Sequence, residues 1–217
     1  MKTMYAVLAL VAFQFAAAQK TIDIKDFTVL AVSGGVEITL VPSSENKLVI
    51  EEGNPDELDV ATEEGALAIS ADRDDYRLII HFKGNIEEIA VSGGVEIKGR
   101  GKIKGKKMSI NIAAGSEIHL DVEADQIKSA AASGSEMHLS GTSNRFEAAV
   151  ASGAELDGAG LKTENSLIVV ASGGEASIYA SGVVDATVAS GGELNIHGNP
   201  KTVNKVVANG GEVNMMN

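Results

Sequence analysis

Apolar and polar positions alternate along residues 167–182: Ile168 and Val170 fall on one side, Gly173-Gly174 interrupts, Ala176 and Ile178 return to that side, and Gly182 interrupts again. A period of two, with β-branched residues at the inward sites and glycine at the breaks, predicts short strands joined by tight turns and leaves little room for helix. The pattern recurs. Its glycine phrase is centred on Ser33-Gly34-Gly35, Ser92-Gly93-Gly94, Ala114-Gly115-Ser116, Ser133-Gly134-Ser135, Ser152-Gly153-Ala154, Ser172-Gly173-Gly174, Ser190-Gly191-Gly192 and Asn209-Gly210-Gly211. From Gly93 onward these first glycines lie 22, 19, 19, 20, 18 and 19 residues apart, and the 59-residue interval after Gly34 accommodates three more such periods.

A period near twenty residues predicts an all-β solenoid of stacked coils, with about 19–20 residues per coil, in which no coil can bury its apolar face alone. Stacking in register predicts an inward column of Ile112, Ala131, Val150, Val170, Val188 and Val207. Glycine suits the corners, where the backbone angle opposes a Cβ and stacked turns leave little space. Residues 91–217 hold the regular repeats. Residues 19–90 carry strand patterns at Phe27–Val32, Leu48–Glu51, Ala66–Ala71 and Leu78–Phe82, with turns at Gly53-Asn54-Pro55-Asp56 and Ala71-Asp72-Arg73-Asp74-Asp75. They are expected to form irregular opening coils of the same single β-helix domain, 19–217. About ten coils at about 4.8 Å each would make a rod about 50 Å long.

Residues 1–18 differ in kind. Lys2, the apolar stretch from Met4 to Phe15 and the small residues Ala16-Ala17-Ala18 have the order of an export signal cleaved before Gln19. No later apolar run is long enough to cross a membrane as a helix. With no cysteine there are neither disulfides nor a lipid-modified cysteine, so stability rests on packing and hydrogen bonds. A formal charge of −12 argues against a nucleic-acid partner.

The opening order of a strand, Ser-Gly-Gly-Val-Glu-Ile, a Glu-Asn-Lys turn and Leu-Ala-Ile-Ser, followed by iterated Val-Ser-Gly-x-x-Glu-Ile phrases, resembles the putative auto-transporter adhesin, head GIN domain family of exported Bacteroidetes proteins. The resemblance covers almost the whole chain after residue 18. It implies a right-handed parallel β-helix with an adhesive or envelope role, periplasmic, on the cell surface or secreted, and it supplies no catalytic residues.

Read as columns, the repeats offer several candidate sites. Glu117, Glu136, Glu155, Glu175, Glu193 and Glu212 occupy one place in six successive coils, about 5 Å apart, where unit charges in water repel by roughly 0.8 kcal/mol before screening. Such a ridge either keeps the surface soluble and discourages edge pairing or holds a weakly bound calcium, the one cofactor candidate. Two residues further come His119, His138, Asp157, Ser177, Asn195 and Asn214, in which His119 and His138 could hold a transition metal beside Glu117 and Glu136. The first two copies are taken as one residue shorter at the corner, which places Glu37 and Glu96 in this second column. Ser33, Ser92, Ser133, Ser152, Ser172 and Ser190 lack a recurring histidine base and are expected to form a hydroxyl ladder. The basic run Gly99–Lys107 is expected to be a solvated turn or a patch for an acidic glycan or for the protein's own glutamates.

Catalysis is disfavoured: the corners are short, and the arginines are confined to Arg73, Arg77, Arg100 and Arg145. The expected partner is an extracellular or envelope glycan or protein, although only Phe27, Tyr76, Phe82, Phe146 and Tyr179 remain as aromatics after residue 18. The alternatives are a structural role in envelope assembly and, less favoured, a polysaccharide lyase or hydrolase. The pattern at Val213–Asn217 ends on an open coil, through which copies of the chain could associate end to end.

Overall fold

Each regular corner is made by two successive residues with positive φ. Ser152 and Gly153 stand at φ of 57° and 68°, and the Ala154 amide donates to the Ala151 carbonyl at 3.2 Å. Positive φ at both central residues, closed by that bond, is a type I′ turn. The same bond closes Ala171–Gly174, Ala189–Gly192 and Ala208–Gly211, each at 3.0 Å. Gly153 is glycine for its backbone angle, because a Cβ there would meet nothing within 4 Å. The next position is small for lack of room: a Cβ on Gly192 would sit 2.9 Å from the Val170 carbonyl oxygen.

The structure is a computed structural model that describes residues 20–72 and 75–216. The expected export segment, residues 1–18, lies outside the described residues, as do Arg73 and Asp74 of the predicted aspartate-rich turn. Seventeen strands form one sheet and no helix is present among the described residues. In chain order they are β1 (Lys20–Asp23), β2 (Val29–Ser33), β3 (Val36–Pro42), β4 (Lys47–Glu52), β5 (Asp59–Glu63), β6 (Ala66–Ser70), β7 (Tyr76–Phe82), β8 (Glu88–Ser92), β9 (Glu96–Ala113), β10 (Glu117–Ala132), β11 (Glu136–Ala151), β12 (Glu155–Val170), β13 (Glu175–Ala180), β14 (Val183–Val188), β15 (Glu193–His197), β16 (Thr202–Val207) and β17 (Glu212–Met215). From β8 onward every pairing is parallel, giving a β-solenoid. Long strands β9 to β12 each bend around the coil, contributing one end to the glutamate face, the middle to a second face and the other end to a third.

The inward column lies in the expected register, with Ile112, Ala131, Val150, Val170 and Val188 all buried. Val207 stacks on Val188 but is 44% exposed, since among the described residues no strand pairs with the outer side of β16. Phe146, Ile127 and Ile168 fill the third side of the core, and Leu161, in register with Gly141 and Val122, lies behind the second, up to the bend between the two. Hydroxyls settle the bend there: Ser143 Oγ donates to the Arg145 carbonyl at 2.9 Å and Thr163 Oγ1 to that of Tyr179 at 2.6 Å.

Uneven repeat lengths are absorbed away from the glycine corners. Register shifts fall between His119 and Asp121 against β9, between His138 and Ser140 against β12, and between Gly158 and Lys162 against β13. All three lie where the glutamate face passes into the second face.

The opening strands sit close to where alternation placed them, but they do not stack in sequence order. β6 and β7 pair with β2 and β3 on the side away from β8 and β9, so the chain makes one coil, doubles back beneath it, and then climbs. Antiparallel β4 on β7, β1 on β4 and β5 on β6 close that end. The 59-residue interval thus holds a cap rather than three successive coils, and the solenoid has about seven turns instead of ten. Sequence period alone cannot reveal such a reversal, because antiparallel strands carry the same alternation.

Two glycines separate the conformational from the steric role. Gly153→Ala is expected to lose about 1 kcal/mol of unfolding free energy, the left-handed penalty alone. Gly141→Ala is expected to lose about 3 kcal/mol or more, since φ is 109° and a Cβ would lie 2.0 Å from the Val122 carbonyl oxygen. Urea unfolding of both variants checks this, and equal losses would contradict it.

Candidate functional site

Parallel register puts like residues directly over one another, so the outer surface is organised in rows. Glu117, Glu136, Glu155, Glu175, Glu193 and Glu212 do form one row, paired strand to strand from β10 to β17. Glu37 and Glu96 extend it at the other end. This corrects their expected place in the histidine row: the first corners are as long as the later ones, with Ser33, Ser92 and Ala113 in register just as Glu37, Glu96 and Glu117 are. Gly93 and Gly94 both take positive φ and Val95 then fills the inward site, which returns Glu96 to the ridge.

The adjacent row is Thr39, Lys98, His119, His138, Asp157, Ser177, Asn195 and Asn214. It supplies donors to the ridge. Lys98 pairs with Glu96, and His119 Nε2–H donates to Glu117 Oε1. Glu193 Oε1 accepts from Asn195 Nδ2 at 3.1 Å and from Asn214 Nδ2 at 3.3 Å. These partners offset the repulsion between stacked carboxylates. The bond from His119 holds the Glu117 carboxyl below its usual range, against a smaller upward push from desolvation.

The expected serine column divides, because Ser33 and Ser92 stand in register with Ala113, one place before that of Ser133, Ser152 and Ser172, and the ladder at the corners is not the expected one. Gly115, Gly134 and Gly153 donate their amides to the main-chain carbonyls of Ser133, Ser152 and Ser172, each at 3.2 Å. The hydroxyls are not the rungs. Positive φ turns each serine carbonyl along the stack, so a backbone acceptor already meets the neighbouring amide. A hydroxyl pair does form at the capped end, where Ser33 Oγ donates to Ser70 Oγ of β6 at 3.1 Å.

Gly99–Lys107 is strand within β9 rather than a turn. Its lysines open a second row that the glycine phrase does not mark: Lys104, Glu123, Thr142, Lys162 and Tyr179 stack in register on the second face. Lys102 and Lys104 each place Nζ 3.5 Å from a Glu123 carboxylate oxygen. The Lys104 charge, assisted by hydrogen bonds from Lys102 and Lys104, holds the Glu123 carboxyl below its ordinary range despite some desolvation. Along this row runs a trough of about 760 Å³ whose rim carries Asp125, Asn144 and Glu164. The missed signal is the spacing of Lys104, Glu123, Thr142 and Lys162, at 19, 19 and 20 residues, the period of the glycines themselves.

The third face is nearly free of charge along one row. Ala68, Ala31, Ala90, Asn111 and Ala130 stack outward, and with Val60 of β5 beside them they line an apolar shelf of about 810 Å³.

Comparison with known proteins places this architecture. The family model described as "Putative auto-transporter adhesin, head GIN domain" matches residues 26–200. A putative adhesin of Bacteroides fragilis superposes with a TM-score of 0.81 at 16% identity, covering 91% of this chain and 96% of its own. A putative adhesin of Parabacteroides merdae gives 0.72 at 15% identity, covering 92% and 96%. A Parabacteroides distasonis protein described as a putative lipid binding protein gives 0.72 at 21% identity, covering 92% and 96%. At these identities the likeness is one of fold. No curated protein sequence matches the chain.

Titration checks the electrostatics of the trough. Because the folded pKa of Glu123 is depressed, its attraction to the lysines is present at neutral pH and is lost as pH falls through that lowered value. In Lys104→Ala the Glu123 carboxyl, followed by NMR, is expected to titrate at higher pH, toward the ordinary carboxylate range. A remote Lys83→Ala should leave it in place, and an unmoved Glu123 in Lys104→Ala would place the cause elsewhere.

Proposed function

Because the chain belongs to the putative auto-transporter adhesin, head GIN domain family, we propose that it is an exported, non-catalytic envelope protein that holds a carbohydrate along its trough. The order of charge, apolar stretch and small residues in 1–18 supports export. The observation that carries the ligand class is the row Lys104, Glu123, Thr142, Lys162 and Tyr179. It presents ammonium, carboxylate, hydroxyl and one half-exposed aromatic ring at strand spacing, about 4.8 Å, on a rigid sheet. Donors and acceptors alternating beside an aromatic face suit the hydroxyls and C–H face of a sugar. Mixed charge suits a neutral or zwitterionic chain better than a polyanion.

The apolar shelf favours a second reading, in which an acyl chain lies across the alanine row. The description of one structural relative as lipid binding points the same way.

A glycan array and lipid vesicles, both probed with the purified protein, separate the two. Carbohydrate binding is expected, and Lys162→Ala and Asn144→Ala are each expected to weaken it at least tenfold, about 1.4 kcal/mol. Vesicle binding abolished by Ala90→Glu, with no glycan retained, would instead select the shelf.

A further inference from the structure

The trough leaves unused a cluster on the glutamate face. β10 and β11 run parallel in register, so Glu117 lies opposite Glu136 and His119 opposite His138. The imidazole rings stack with centroids 4.3 Å apart and planes within 5°. The Glu117 carboxylate bonds to His119. One donor atom from each of Glu117, His119 and His138 falls within 4.8 Å of the others. Asp157, next in the row, places Oδ2 3.7 Å from His138 Nδ1. All four are side chains on central strands, held in place by ladder hydrogen bonds on both sides.

We propose that Glu117, His119 and His138 bind a divalent transition metal, zinc above all, with Asp157 as a further donor or as the carboxylate that orients His138. Two imidazoles and a carboxylate form a nitrogen-rich set suited to zinc, whereas calcium takes six to eight oxygens. In a tetrahedral zinc site with bonds of about 2.0–2.1 Å the donors lie about 3.3 Å apart. The present separation closes by side-chain rotation, since the side chains are only half-buried and free to turn on their outer side. Stacked rings aim their lone pairs in parallel, so binding tilts them toward one another. Glu117 Oε1 and His119 Nε2 already converge on one shared proton, and a metal ion entering there takes that proton's place. Elsewhere on the ridge the neighbouring row offers Lys98, Ser177, Asn195 and Asn214, none of which supplies an imidazole. The metal site is therefore confined to β10, β11 and Asp157 of β12 and does not run along the ridge.

Isothermal titration of the purified protein with zinc chloride tests this, with calcium chloride as comparison. One zinc per chain is expected at micromolar affinity or tighter, with calcium at least a hundredfold weaker. His119→Ala and His138→Ala are each expected to weaken zinc at least tenfold, whereas His197→Ala and Glu193→Gln leave it unchanged. Cobalt loaded in place of zinc gives a second readout: visible d–d bands of a nitrogen-containing site, lost in the His119→Ala/His138→Ala double variant. Zinc binding that survives the double variant would overturn the proposal, as would an equal loss in Glu193→Gln or the absence of zinc binding below about 100 µM.

Discussion

The fold depends on parallel main-chain hydrogen bonding that keeps each coil directly over the last. Within each paired stretch the register is held tightly, because a slip of one residue there would turn every inward valine or isoleucine to solvent. The two-residue left-handed corner is what holds register from coil to coil. It turns the chain in the shortest distance and points the serine carbonyl toward the preceding corner's glycine amide, so the corners themselves bond into a ladder. Two demands meet at the glycine phrase: one position must tolerate positive φ, and the following one must leave room for the neighbouring carbonyl. Hence the phrase repeats while the side chains between the corners vary.

Fixed corners force differences in coil length to appear somewhere else. They appear at the passage from the glutamate face to the second face, where β9, β12 and β13 slip against their neighbours. Relief on the surface follows from these slips. A shortened coil at β13 leaves Tyr179 stacked on Lys162 at the end of the trough, and a bulge near Gly99–Gly101 sets the lysines of β9 beside Glu123. A solenoid of uniform coils would offer flat walls; this one acquires a groove because its coils differ in length.

Stacking like on like also concentrates charge, and the molecule handles that locally. The glutamate row survives because the row beside it supplies Lys98, His119, Asn195 and Asn214 as donors. On the second face Glu123 sits between two lysines. These are exposed pairs whose individual stabilisation is small. Their effect is to remove a repulsion that stacking would otherwise impose.

Much of this was legible in the residues alone. Alternation identified the strands, the glycine period identified the solenoid, and counting forward from each glycine placed the six carboxylates and the inward aliphatics in true register. Counting failed at Glu37 and Glu96, where a second corner glycine shifts the frame by one, and at the 59-residue interval, where a cap doubles back. Local pattern determines that a segment is a strand and which of its sides is apolar, because both follow from backbone geometry and the transfer of side chains from water. It carries no record of which strand lies alongside or in what direction. That is decided only when the chain closes on itself, and with it were decided the number of turns, the capped end, the convergence of His119 and His138 with Glu117, and the trough assembled from residues in five different coils.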